Sequence, residues 1–509
     1  MSDLAEAVRA RLERLDADRV LERVWAGDHT VWRPEPTEIA DRLGWLTVHR
    51  QMAGRIGELL GFARACAADG LRWAVLCGMG GSSLAPEVFR ESFGVAEGAL
   101  DLVVLDTTHP DAILALEEAI DLGRALFVIA SKSGTTIETR AHLEHFWRRA
   151  PEGSRFAAIT DPGTPLAGLA AERGFRRVFE NPPDIGGRYS ALSYFGLVPA
   201  ALVGADLDAL LAGAETAAVA CGPQVPAGED AAAVLGAWIG EGVLAGRDKL
   251  TMAFHGPVAA LARWVEQLVA ESTGKDGTGV IPVEGEALGP PSVYGDDRLF
   301  VAAEDGEQAP IVRWLERADH PVIRSIVREP VELGGAMFRW ELATAVAGHV
   351  LGVHPFDQPD VQAAKDATAR ALSGGGAAEV ERGDPTELVG SIGPGDYVAI
   401  QAFVSPGPSK LARLQAVRHR IRDQRRVATT LGFGPRFLHS TGQLHKGGPG
   451  SVVCIQVLDE QVADLDVPGE GYSFGDLFAA QATGDLEALR ARGRRVARVS
   501  LDELEALAR

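Results

Sequence analysis

Lysine is scarce in this chain. Only six of its 50 basic residues are Lys (Lys132, Lys249, Lys275, Lys365, Lys410 and Lys446), and the other 44 are Arg. Coding bias accounts for most of that on a solvated surface. The six positions that keep a compact ammonium are candidates for a specific task, because Lys and Arg are not chemically interchangeable. Basic residues as a class are also outnumbered, 50 against 70 acidic ones, for a formal net charge of −20. That balance excludes a general nucleic-acid binder, which needs clustered positive charge. There are only four cysteines, Cys66, Cys77, Cys221 and Cys454, and no two have the C-x-x-C spacing of a zinc or dithiol site. Scattered Cys suits a reducing compartment. Long apolar runs are missing too. The most apolar stretch, residues 191–205, contains Pro199 and falls short of the ~20 residues a membrane helix needs. Asp3, Glu6, Arg9 and Arg11 leave no apolar signal-peptide region at the start. A soluble, cytoplasmic protein is expected, with no membrane or nucleic-acid partner.

What is there is globular. Hydrophobic residues make up 46% and charged residues 24% of 509 residues, enough chain for about three domains. Residues 1–65 read as helical, with Leu4, Val8, Leu12 and Leu15 at helical spacing. From residue 66 short apolar runs alternate with helical stretches. Strands are expected at 73–77, 102–105, 126–130 and 156–160, and a helix at 136–150. The pattern restarts after residue 230, with strands at 250–254, 299–302 and 322–326 and helices at 258–270 and 335–350. Ser373-Gly374-Gly375-Gly376 reads as a flexible linker. A third α/β stretch follows, with strands at 397–403, 427–432, 452–457 and 496–501 and helices at 410–422 and 477–492. Strands alternating with helices imply parallel sheets covered on both faces. The expected division is a helical segment 1–65, α/β domains 66–229 and 230–376, and a C-terminal α/β segment 377–509.

Several loops carry chemistry. Gly78-Met79-Gly80-Gly81-Ser82-Ser83 lies between a strand and a helix, where glycines let a ligand approach backbone N–H groups. Ser83 stands where a dinucleotide fingerprint would have Gly, so that reading is weak. Ser131-Lys132-Ser133-Gly134-Thr135-Thr136 also follows a strand and precedes a helix. Capping that helix takes one hydroxyl, and four around one helix N-terminus suit a phosphate monoester. Gly186-Gly187-Arg188-Tyr189-Ser190 places a guanidinium on a turn, to stabilise an oxyanion or to hold a structural carboxylate; spacing does not choose. The segment 267–275, Gln-Leu-Val-Ala-Glu-Ser-Thr-Gly-Lys, is not a P-loop. Val269 replaces the first Gly, and Asp276 follows Lys275. Its Glu271 sits near the C-terminal end of an apolar helix, where an acid is unfavourable and points to exposure or to a task. Residues 354–359, His-Pro-Phe-Asp-Gln-Pro, precede Lys365, and His439 and His445 share a Gly-rich polar loop. Those two histidines are read as acid-base groups, as metal ligands or as merely exposed.

Together these segments resemble glucose-6-phosphate isomerases (phosphoglucose isomerases) built from sugar-isomerase (SIS) domains. The family's Gly-Gly-Ser, Ser-Lys-x-x-Thr-Thr-x-Glu-Thr, Gly-Gly-Arg-(Phe/Tyr)-Ser, x-Glu-Ser-x-Gly-Lys and Phe-Asp-Gln-x-x-Val-x-x-x-Lys strings all occur here, in family order, between residues 78 and 365. The stretch around His439 and His445 is similar to the tail of isomerase halves fused to transaldolase. No transaldolase barrel fits in this length, so the chain resembles the isomerase portion alone. The resemblance implies two SIS-type doubly wound parallel-sheet domains and aldose–ketose isomerisation of glucose 6-phosphate and fructose 6-phosphate, in glycolysis and gluconeogenesis. It implies no cofactor and no metal, a small sugar phosphate as ligand, and a homodimer. Another phosphosugar isomerase, acting on mannose 6-phosphate or an amino sugar phosphate, is the alternative. A non-catalytic sugar-phosphate sensor is a further one, and a metal enzyme using His439 and His445 a weaker one.

Residue by residue, the resemblance implies that Ser131, Ser133 and Thr136, helped by Lys132 and Thr135, bind the phosphate. Gly81, Ser82, Gln267 and Gln358 would line the site. Glu271 would shuttle the proton between C2 and C1, Arg188 would stabilise the enediolate, and Lys365 and a His would open the ring. The family's His follows the catalytic Glu by a few tens of residues, in a Gly-Thr-Asn-Gly-Gln-His string, and comes from a neighbouring subunit. Here that region reads Gly295-Asp296-Asp297-Arg298, with no His until His320. Ser440-Thr441-Gly442-Gln443-Leu444-His445 is the similar string, so His445, or failing it His439, is expected to replace the acid.

Overall fold

The computed structural model describes all residues except 1, 304–307, 326, 374–381, 460–462 and 508–509. Thirteen described strands form three sheets. The first contains β1 (Trp73–Gly78), β2 (Asp101–Leu105), β3 (Ala125–Ala130), β4 (Phe156–Thr160) and β5 (Arg177–Glu180), in the order β2-β1-β3-β4-β5. The second contains β6 (Lys249–Ala253), β7 (Ile281–Val283), β8 (Arg298–Ala303) and β9 (Val322–Ser325), in the order β7-β6-β8-β9. The third contains β10 (Tyr397–Phe403), β11 (Ala428–Phe433), β12 (Val452–Leu458) and β13 (Arg495–Ser500), in the order β11-β10-β12-β13. Every strand pair is parallel. The α/β class and parallel sheets match the sequence reading. In each sheet the first strand lies between the second and the third, so each has a point where successive connections leave in opposite directions.

The central strands β1 and β3 of the first sheet are apolar throughout because both faces are covered. β3, Ala-Leu-Phe-Val-Ile-Ala, is buried at all six positions. β5 and β7 were absent from the sequence reading. β5 is half-exposed, and β7 is three residues long with Pro282 at its centre, so neither has a strand's usual apolar run. Residues 1–68 hold the helices Ser2–Ala17, Val20–Trp25, Val48–Ala53 and Ile56–Ala68. The apolar stretch expected too short for a membrane is the helix Tyr194–Val203, buried on every side with Pro199 inside it. No helix among the described residues is long and apolar enough to cross a membrane. The Gly374–Gly376 part of the expected linker lies outside the described residues.

One large core joins the N-terminal helices to a face of the first sheet, the helices Ala231–Leu244 and Leu333–Leu351, and the second sheet. A smaller core joins Ile281 and Val283 of β7 to Tyr397, Ala399, Val452 and Cys454 of the third sheet, with Leu444 and Leu489. The C-terminal segment is therefore packed against the rest of the chain, and the helix Val361–Ser373 rests on the helix Phe474–Ala491. A Cβ on Gly484 would lie 2.7 Å from Thr368 Oγ1.

Candidate active site

Sheet topology brings the first two loops together. In the order β2-β1-β3 the chain leaves β1 and β3 at a topological switch point, where a crevice opens beyond the carboxyl ends of the strands. Gly78 of β1 pairs with Ala130 of β3, so residues 79–83 and 131–136 start side by side. At the second loop, Ser131 Oγ is 2.9 Å from Thr136 Oγ1, and Ser133 Oγ is 2.9 Å from Thr135 Oγ1. Gly134, at φ +68°, closes the turn and donates its N–H to Ser131 Oγ at 3.1 Å. Thr136 precedes the helix Ile137–Arg149 yet makes no side-chain cap. The first N–H groups of that helix thus remain available to an anion.

Backbone packing sets the opposite wall. A Cβ on Gly81 would lie 2.0 Å from the Gly187 carbonyl oxygen, so only glycine lets the 186–188 turn come this close. That turn delivers Arg188, which is almost completely buried. Its Nη2 donates to the carbonyls of Phe356 (2.7 Å) and Asp357 (2.9 Å) and to Gln358 Oε1 (3.1 Å). Its Nη1 makes no hydrogen bond and stands 3.6 Å from Glu271 Oε2. An orphaned buried guanidinium N–H is costly unless something else accepts from it. Lys275 braces the same loop, donating to the carbonyls of His354 and Asp357 and to Asp357 Oδ1, each at 2.6 Å. Burial, with Arg188 nearby, lowers its ammonium to about 8.

Glu271 projects from the last turn of the helix Leu261–Thr273. One turn earlier, Gln267 Nε2 donates to Glu271 Oε2 (3.2 Å) and to the His439 carbonyl (2.8 Å). His439 ends the short turn Arg436–His439 after β11. A Cβ on Gly80, whose φ is +55°, would lie 2.5 Å from the His439 carbonyl. The imidazole Nε2 is 2.8 Å from Glu138 Oε1. Burial alone would raise the Glu138 carboxyl, but the charge and hydrogen bond of His439 outweigh it and lower it. The contact with Glu138 runs through Nε2 and leaves Nδ1 on the other side of the ring.

These groups enclose a cavity of about 520 Å³ lined by Gly81, Ser82, Ser131, Lys132, Ser133, Thr136, Arg188, Gln267, Glu271, Gln358, Lys365 and His439. Thr135 faces an adjoining cavity of about 400 Å³ that shares Ser133, Thr136, Lys365 and His439. His445 is elsewhere, and this corrects the expectation placed on it. It lies buried in the helix Gly442–Gly447, with Nδ1 accepting from Gln401 Nε2 at 3.1 Å. Burial, with the Lys446 and Arg494 charges, lowers its imidazole to about 3, so the ring is neutral near neutral pH. His320 is also away from the cavity, packed on Tyr294 and Phe300. Sequence reasoning gave no role to Glu138 or Asp161. Glu138 stands inside the Thr-Thr-x-Glu-Thr string, which was its only signal.

The lysines are explained by their partners. Lys132 meets Asp161, Lys249 meets Asp248 and Asp297, Lys275 meets Asp357, Lys410 meets Asp459, and Lys446 meets Asp485. Lys365 alone has no ion pair among the described residues, and it lines the cavity.

A family model for phosphoglucose isomerase matches residues 50–285. A glucose-6-phosphate isomerase of Rubrobacter xylanophilus is 28% identical over 363 residues, 59% of this chain and 82% of that one. Over these stretches the chain is similar to phosphoglucose isomerases. A relative named glucose-6-phosphate isomerase, from Synechococcus sp. (strain JA-3-3Ab), is 38% identical over 209 residues, which spans only 39% of either chain. A solved structure of a hypothetical protein from Thermus thermophilus aligns with TM-score 0.61 and 26% identity, covering 73% of this chain and 98% of that one. The glucose-6-phosphate isomerase of Chlamydia trachomatis shares the fold, with TM-score 0.51 and 20% identity over 70% of this chain and 78% of that one. The stretch matched to the phosphoglucose isomerase family model ends at residue 285, so Lys365 and His439 lie outside it.

Proposed function

We propose that the chain is a glucose-6-phosphate isomerase, interconverting glucose 6-phosphate and fructose 6-phosphate through an enediolate. The observation that carries this reading is the meeting of Glu271, the unpartnered Arg188 Nη1 and the open helix N-terminus at 131–136 in one cavity. Moving a proton between adjacent carbons takes one carboxylate base, a cation for the developing oxyanion and an acid-base group at the ring oxygen. The substrate phosphate sits at Ser131, Ser133 and Thr136, where hydroxyls and helix N–H groups receive it, and its remote binding positions the reacting carbons.

His439, held through Nε2 by Glu138, gives the ring oxygen a proton from Nδ1 as the ring C–O bond breaks and keeps its Nε2–H, while the anomeric hydroxyl gives up its proton to solvent beside Lys365. Glu271 then takes the proton from C2 and returns it to C1, while Arg188 Nη1 donates to the enediolate oxygen. Gln267 keeps the Glu271 carboxylate and the His439 turn in register. Residues 66–229 and 230–376 serve as the two sugar-isomerase units, and the C-terminal segment brings the imidazole. The protein works in the cytoplasm, and one copy fills every position this scheme uses. The test is conversion of fructose 6-phosphate by purified protein, read with a dehydrogenase specific for glucose 6-phosphate. No turnover above background rejects the assignment.

A further inference from the structure

Glu138 Oε1 accepts twice. One donor is His439 Nε2 at 2.8 Å, and the other is Gln481 Nε2 at 2.7 Å. Gln481 is on the helix Phe474–Ala491 of the C-terminal segment and is 2% exposed. Its amide has a fixed sense, because Oε1 accepts from Thr108 Oγ1 at 2.7 Å. Thr108 follows β2 of the first sheet and is fully buried. The result is a line of hydrogen bonds, Thr108 to Gln481 to Glu138 to His439, that crosses between the first sheet's surroundings and the C-terminal segment at each step. A buried amide between two polar groups of another segment is strongly directional, since every misalignment leaves a desolvated donor or acceptor unmet.

We propose that Gln481 is a positioning residue for His439, so that the C-terminal segment supplies both the imidazole and the amide that aligns it. Gln481 lines the adjoining cavity and is absent from the set enclosing the main one, so it acts through Glu138. By holding Glu138 Oε1 from one side, it leaves one direction for the His439 Nε2–H. That fixes the tautomer with Nδ1 as the nitrogen open to the sugar ring. A carboxylate free to turn would accept from either ring nitrogen and would lose this selection. The catalytic part of the proposal rests on the isomerase reading above; the alignment does not.

The test is Gln481→Met, which keeps length and removes the amide. Two readouts are used: selective nitrogen-15 labelling of histidine, with the His439 signal assigned by its absence in His439→Asn, and steady-state kinetics on fructose 6-phosphate. Wild type shows a single His439 tautomer. Gln481→Met shows a mixture, kcat falls roughly tenfold, KM stays within about twofold, and an open-chain aldonate phosphate binds as in wild type. Thr108→Val, which leaves Gln481 in place but frees its amide, shows the same changes to a smaller degree and stands in if Gln481→Met does not fold. An unchanged His439 tautomer overturns the proposal whatever the rate does, and so does an altered tautomer with unchanged kcat. If wild type shows no turnover, the isomerase reading and the catalytic role fall together, while the tautomer comparison still decides the alignment.

Discussion

His439 Nε2 and Glu138 Oε1 are 2.8 Å apart although 301 residues separate them in the chain. The contact ties the C-terminal segment to the first turn of the helix Ile137–Arg149 that follows β3. It places an imidazole beside Ser133, Lys365 and Glu271 in one cavity. Four expectations follow from this arrangement and its surroundings.

Glu271→Gln removes the base but keeps the shape of the site, and Gln267 still has an acceptor on the new amide. We expect kcat to fall by about 10³- to 10⁴-fold, the scale of general-base catalysis, with substrate affinity retained. Steady-state kinetics and equilibrium binding of fructose 6-phosphate check this. A rate within about tenfold of wild type would remove Glu271 as the base.

His439 and His445 are told apart by substitution. His439→Asn loses the acid-base nitrogen in the cavity and is expected to cost about 100-fold in kcat. His445→Asn, outside the cavity and next to Gln401, is expected to keep kcat within about threefold while lowering the thermal midpoint. The reverse pattern would assign the chemistry to His445.

Acid should destabilise the fold through two buried imidazoles. Burial lowers His142 to about 4 and His445 to about 3, against an ordinary 6.5. Between pH 6.5 and about 4 the unfolded chain binds protons that the native state refuses, so stability falls as pH falls. Each group contributes up to about 1.4 kcal/mol per pH unit. Denaturant midpoints measured across this window should drop with acid, and less steeply in His445→Asn. An identical slope in that variant contradicts the assignment.

Lys446 and Asp485 form a buried ion pair at 2.5 Å, with almost no exposure on either side. Lys446→Met leaves Asp485 buried and unpaired, and should cost about 3–5 kcal/mol. Replacing both, Lys446→Met with Asp485→Leu, should recover most of that loss. Chemical denaturation of the two variants gives the comparison.

Much of the site was readable because strand–turn–helix punctuation is local. Gly78 to Ser83 and Ser131 to Thr136 each follow an apolar strand and precede a helix, and the structure puts both at the carboxyl edge of one parallel sheet. The choice between His439 and His445 was not readable. It depends on which side of the Arg436–Gly447 stretch faces inward, and that is set by packing of Leu444, Phe437 and the third sheet. Whether Thr136 caps its helix was equally hidden, because Ser131 competes for the same hydroxyl.

The sequence by itself determined the α/β class, the parallel sheets and the composition of each loop, since those follow from apolar runs, glycines and hydroxyls close together in the chain. It also marked six lysines as unusual. Only the tertiary structure decided that five of them end on carboxylates and that Lys365 is left to face the cavity. It decided likewise that the histidine lining the cavity is His439, from the C-terminal segment. The physical reason is one of range. A turn is specified by its own residues, whereas a buried ion pair or a Glu–Gln–His alignment exists only once distant segments have packed and excluded water.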